Sequence, residues 1–89
     1  MEVGAGMEET WSLRDVAPGE RAVVAALLTT GGMRRRLLDI GLVEGTEVAC
    51  VGRSPGGDPA AYLIRGAVVA IRAADCAGVR VRDRRPQEV

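Results

Sequence analysis

Three consecutive arginines, Arg34, Arg35 and Arg36, stand in the stretch TTGGMRRRLLDIGLVEGTEV of a chain whose formal net charge is zero. Guanidinium groups clustered in this way suit gripping a phosphate or framing a protein-docking surface, or else form the solvated side of a short helix. Other reactive side chains are few. Cys50 and Cys76 form no C-x-x-C pair, and the chain contains no histidine. Two isolated thiols cannot supply a closed zinc site, and a nucleophilic cysteine lacks its usual base. They read as small buried hydrophobes of a protein in a reducing compartment. Transition-metal sites commonly draw on imidazole, which this chain lacks. Carboxylates alone, such as Glu44, Glu47 and Asp58, would make only a weak hard-cation site. No Ser–His–Asp or Cys–His set exists, and no G-x-x-x-x-G-K-S/T phosphate loop is present. The residues therefore predict no catalytic group, no metal ligand and no cofactor, which leaves binding as the chemistry to explain.

The elements that must hold these groups are short. The chain has 89 residues, 47% of them apolar, with one Trp, one Tyr and no Phe, so its core must be aliphatic. A chain of this length buries only about 60–65% of its unfolded surface and supports one domain. Twelve arginines balance twelve acidic residues, and lysine is absent. That neutrality argues against a dedicated nucleic-acid binder, which carries a basic excess. The longest apolar run, AVVAALL from Ala22 to Leu28, is far short of the ~20 residues that span a bilayer. The acidic start MEVGAGMEET has no apolar stretch of the kind a secretory signal needs, so the protein reads as cytoplasmic.

Residues 1–10 read as a flexible leader, 11–83 as the folded domain and 84–89 as a polar tail. Ser12 and Asp15 make a capping box in its Asp variant, with Trp11 and Val16 placed as a hydrophobic staple around one helical turn. Pro18-Gly19 supplies type II turn chemistry. RAVVAALL, from Arg21 to Leu28, predicts a central strand buried on both sides. Thr29 or Thr30 caps a helix from about Gly32 to Ile40, which Gly41 stops. At about 100° per residue Met33, Leu37 and Ile40 share one face, Arg34 and Arg36 flank it, and Arg35 points away. Asp39 lies within reach of Arg35 and Arg36, an exposed pairing worth a few tenths of a kcal/mol. Glu44-Gly45 is a turn, and Thr46 to Arg53 a strand in which Val48 and Cys50 alternate with Glu47, Ala49 and Val51. SPGGDP, from Ser54 to Pro59, is a loop. AAYLIR and AVVAIR are strands joined at Arg65-Gly66, with the glycine at positive φ. AADCAG is a connector, and Val79 to Asp83 a last strand with Val79 and Val81 inward. Five short strands, tight connections and one short inserted helix predict a mostly β fold. The expected architecture is a small, strongly bent barrel of the SH3-like or OB-like kind, whose closure removes open sheet edges.

The succession of L-x-D-x-x-P-G-E (Leu13 to Glu20), GGMRRRLLDIGLVEGTEV (Gly31 to Val48), SPGGDP, YLIRG (Tyr62 to Gly66) and VAIRAADC (Val69 to Cys76) resembles the FeoA family of ferrous iron transport accessory proteins. The resemblance runs from about Ser12 to Arg82. It departs at Ile40, where the family usually has Met, a volume-conserving change. What the resemblance implies is an SH3-like β-barrel with an inserted helical segment, cytosolic and non-enzymatic, at most peripheral to the membrane through its partner. That partner is FeoB, the membrane protein that imports ferrous iron and carries a cytosolic G domain. Similar barrels form the C-terminal domain of iron-dependent repressors, so a regulatory module is one alternative. A GTPase-activating partner offering Arg34, Arg35, Arg36 or Arg53 is another.

Docking on the G domain or the membrane portion of such a transporter needs apolar anchors framed by arginine. Leu42 and Val43, just past the helix stop beside Arg35 and Arg36, fit that description, and Arg34 joins the same candidate surface. So does the loop carrying Arg53, Pro55, Gly56, Gly57 and Asp58, whose glycines let backbone groups approach a partner. Leu42 and Val43 read equally well as core residues closing the barrel. Capture of polyproline segments needs an aromatic groove, which Trp11 and Tyr62 are too few to build, and base stacking fails for the same reason.

Overall fold

The computed structural model describes residues 9–87. Most of the expected leader and the last two residues of the expected tail lie outside that range. The chain begins with a two-residue strand β1 (Trp11–Ser12) and a 3-10 turn at Leu13–Asp15. The capping box expected here is complete: the Ser12 hydroxyl accepts from the Arg14 N–H, and the Asp15 carboxylate accepts from the Ser12 N–H. Val16 is fully buried and Trp11 packs half-buried against the same core. The Glu20 N–H donates to the Ala17 carbonyl at 2.9 Å with Gly19 at φ 90°, the type II turn that Pro18-Gly19 predicts.

Strand β2 (Glu20–Leu27) lies between strand β3 (Glu47–Arg53) and strand β6 (Val79–Pro86). It is central, as expected, but it is not buried on both sides. Ala22 and Val24 face the core while Val23 and Ala25 are half-buried and Ala26 is exposed. The apolar run hides the alternation because both faces carry small aliphatic residues; an antiparallel sheet of this size covers only one face.

Helix α1 spans Gly31–Asp39 and ends in a Schellman motif. The Gly41 N–H donates to the Leu38 carbonyl and the Leu42 N–H to the Leu37 carbonyl, both at 3.0 Å, with Gly41 at φ 107°. Leu37 is buried, with Met33 and Ile40 packed beside it on the face the spacing indicated. The expected threonine cap is not made: Thr30 occupies the N-cap position without a side-chain bond. Gly31 and Gly32 open the helix exposed to solvent, where the first N–H groups need no side-chain cap.

Strands β4 (Ala60–Ile64) and β5 (Ala67–Ile71) form the predicted hairpin. Both loop residues, Arg65 at φ 52° and Gly66 at φ 85°, take positive φ, the type I′ geometry that matches sheet twist. The segment read as a connector contains a four-residue helix α2 (Ala73–Cys76). Strand β6 runs on through Arg84 and Arg85 to Pro86, so the expected polar tail begins three residues too early. Arg21 pairs with Arg85 across β2 and β6, and the Arg84 guanidinium lies 5.0 Å over the Trp11 ring, which holds this end of β6 on the sheet.

The six strands pair antiparallel in the order β1-β6-β2-β3-β4-β5. This is a mostly β fold with one strand and one short helix more than expected. The sheet is open rather than closed: β1 ends one side and β5 the other. Bulges in the β2–β6 and β3–β4 registers bend it around an aliphatic core of residues such as Leu13, Val24, Leu37, Leu42, Val48 and Val81. Among the described residues, no helix is long and apolar enough to cross a membrane.

Candidate functional site

Burial decides the chemistry of the two thiols. Cys50 and Cys76 are free and buried. The Cys76 Sγ donates to the Tyr62 hydroxyl at 3.4 Å, inside the core. Burial pushes the Cys76 thiol above its ordinary value, partly countered by the hydrogen bond to Tyr62. The Tyr62 phenol is raised strongly, by burial first and then by its bond to Cys76. Neither group ionises near neutral pH, so this pair packs the core and offers no nucleophile.

The carboxylates do not converge. Glu47 pairs with Arg21 at 3.1 Å. Asp58 accepts from the Ala73 N–H at 2.9 Å and so satisfies the first turn of α2 from outside the helix. Glu44 sits exposed in the turn before β3. Among the described residues, no group of three or more metal-ligating side chains assembles.

The residues predicted for docking fall into separate places. Arg34, Arg35 and Arg36 are exposed on α1, and among the described residues none of them pairs with Asp39 within 4.0 Å. Arg34 and Arg35 border a shallow hollow with Leu38 and Asp39, whereas Arg36 faces a different groove, toward β5. Leu42 is fully buried, so it cannot anchor a partner. It occupies the C″ position of the Schellman motif, where a hydrophobic residue packs back onto the helix residue whose carbonyl its N–H binds. Val43 is half-buried behind it. The Arg53 Nη2 donates at 3.2 Å to the carbonyls of Arg14 and Val16, tying the 3-10 turn to the end of β3. Pro55, Gly56, Gly57 and Asp58 are exposed, and a hollow of about 310 Å³ brings Arg53, Gly56, Gly57 and Asp58 beside Arg14 and Ala73. Arg34 and Arg35 thus stand apart from the loop, whereas Arg36 shares its groove with Pro59 at the loop's end.

Sequence reasoning passed over a third place. A groove of about 300 Å³ lies between α1 and β5, floored by Met33, Ile40, Val69 and Ile71 and rimmed by Arg36 and Arg72. Its signal was present in the charge-free, proline-free run AVVAI. A further hollow of about 470 Å³, bordered by Arg21, Glu47 and Arg65, contains none of the predicted docking residues.

The FeoA domain model matches residues 11–83. No curated protein sequence matches the chain. Among solved structures, the FeoA protein from Chlorobium tepidum is 30% identical at a TM-score of 0.76, covering 81% of this chain and 69% of its own. The zinc complex of Stenotrophomonas maltophilia FeoA, described as a prokaryotic SH3-domain protein, is 28% identical at a TM-score of 0.72, covering 80% and 88%. A manganese-dependent transcriptional repressor superposes at a TM-score of 0.76 over 89% of this chain and 46% of the repressor. At 18% identity that last likeness concerns the fold alone. The bent, mostly β architecture is SH3-like.

Proposed function

Since the chain belongs to the FeoA family, we propose that it is a cytosolic accessory protein of a ferrous iron uptake system. It docks on an FeoB-type transporter and supports that transporter's assembly or regulation, without catalysis of its own. The observation that carries this reading is the family match, which spans β1 to most of β6. The chemistry of the side chains agrees with it. Both thiols are buried, with Cys76 and its partner Tyr62 raised in pKa, while the groups at the surface include arginines and glycine-rich backbone suited to contact.

Within this reading Arg34, Arg35, Arg36, Pro55, Gly56, Gly57 and Val43 remain available to the partner, Arg53 and Asp58 are already engaged within the fold, and Leu42 drops out. The test is a pull-down of the transporter's purified G domain and its membrane portion, separately, with the full chain. Retention of one part supports docking; retention of neither refutes it. GTP hydrolysis measured in the same mixtures separates plain docking from an arginine supplied in trans, which would accelerate turnover by orders of magnitude.

A further inference from the structure

The two edges of the sheet are built differently. β1 has two residues and passes straight into the 3-10 turn, and so short an edge resists pairing. β5 reads Ala67-Val68-Val69-Ala70-Ile71, with no charge, no proline and no bulge in its register with β4. The two-residue hairpin places Ile64 opposite Ala67 next to the turn. Residues 67, 69 and 71 therefore turn their backbone groups toward β4, and alternation leaves the N–H and C=O of Val68 and Ala70 pointing out of the sheet.

The groove between α1 and β5 meets that open edge. Val69, Ala70, Ile71 and Arg72, four residues in succession, all border it. Successive strand residues face opposite sides of a sheet, so Val69, Ala70 and Ile71 share one groove only where the groove meets the strand edge-on. At about 300 Å³ the groove is at the small end for a free ligand and suits side chains projecting from a longer chain. Its floor is aliphatic. Its rim sets two guanidiniums, Arg36 and Arg72, against one carboxylate, Asp75.

We propose that the β5 edge and this groove capture an extended segment of the transporter by strand addition. The segment's backbone pairs with Val68 and Ala70, and one aliphatic side chain enters between α1 and β5. A carboxylate close to that side chain meets Arg36 and Arg72. This rests on the docking reading above and assigns it a surface that the Arg53–Pro59 loop adjoins at Pro59 and Ala70. Each feature selects the occupant: the open edge requires extended backbone, the floor requires an aliphatic group, and the excess of cations requires an acid. A second copy of the chain fits less well, because its own β5 keeps Val69 and Ile71 turned into its own groove and would leave both grooves unfilled.

The experiment titrates the full chain with synthetic peptides tiling the cytosolic segments of the FeoB-type transporter from the same genome. The purified G domain and membrane portion are included as whole partners. Ala70→Pro deletes an outward N–H, and proline is tolerated where an edge N–H faces away from the sheet. A double reversal, Arg36→Glu with Arg72→Glu, tests the charge match without touching the edge. The expected result is binding of an acidic, aliphatic peptide that each variant weakens by about tenfold or more. Added salt should weaken the unaltered protein and not the double reversal. Thermal melts by circular dichroism establish that both variants fold. Transporter binding that neither variant alters overturns strand addition and leaves docking standing, whereas binding of no transporter part overturns both. Self-association that Ala70→Pro abolishes, with no peptide bound, assigns the edge to a second copy and overturns the proposal.

Discussion

Replacing Leu42 by alanine separates the two meanings this residue carries in the sequence, partner anchor and core closure. Leu42 is fully buried in the same cluster as Leu37, and its N–H closes the end of α1 on the Leu37 carbonyl at 3.0 Å. Alanine keeps that backbone bond and the turn at Gly41, so the perturbation is confined to packing. Three carbons leave the core, about 2.4 kcal/mol at ~0.8 kcal/mol for each. The cavity left behind raises the cost to about 3–5 kcal/mol, because a helix end pinned by two backbone bonds collapses little. A domain of this size holds about 5–10 kcal/mol in all. A loss of about 3 kcal/mol should lower the melting temperature by about 12–24 °C. Urea unfolding followed through Trp11 fluorescence and far-ultraviolet circular dichroism measures it. A shift worth less than about 1 kcal/mol, together with lost binding to the transporter, would refute the reasoning and return Leu42 to the surface. Arg35→Glu, on the exposed side of the same helix, should stay within about 0.5 kcal/mol in the same assay.

Gly41→Ala should destabilise by about 1–3 kcal/mol, because φ 107° is strained for any side chain and the new Cβ would lie 2.9 Å from the Arg65 Cδ. A thermal melt equal to that of the unaltered protein would contradict the Schellman ending. The buried Tyr62–Cys76 pair predicts alkaline weakening. Both are acids whose pKa is raised in the fold, above ordinary values of 9.0 for Cys76 and 10.0 for Tyr62. Above those values the unfolded chain gives up protons that the folded chain keeps. Stability is therefore full below pH 9 and falls as pH rises, and urea midpoints at about pH 8 and about pH 10.5 should show the decline. Cys76→Ala should flatten its first part. In the native protein, both cysteines should react with a thiol reagent only as fast as the chain opens.

Much of the local structure was legible because its causes are local. Ser12 and Asp15 cap a turn with atoms three residues apart, Pro18-Gly19 and Arg65-Gly66 dictate turn geometry through φ, and Met33, Leu37 and Ile40 mark one face of a helix by spacing. The features that escaped are set by residues far apart in the chain. Trp11–Ser12 is a strand only because Val81 and Arg80 lie opposite it. Ala73–Cys76 is too short for any period to reveal, and its first N–H group is satisfied by Asp58. The side chain of Arg53 looked free because nothing in its neighbourhood of the sequence indicates the carbonyls of Arg14 and Val16.

The candidate surface shows the same division. Composition alone established that the chain has no imidazole, balanced charge and a core aliphatic but for Tyr62 and the cysteines, and the order of its motifs established the family. Those properties belong to residue types and short spacings, which the chain carries whether or not it is folded. Which aliphatic side chains close the core, which arginine turns toward β5, and which strand is left with an open edge depend on how distant segments meet. Leu42 and Val68 are both aliphatic, yet one is sealed beneath the helix end and the other is 64% exposed at the margin of the sheet. Burial is a property of the assembled neighbours, and only the tertiary structure supplies them.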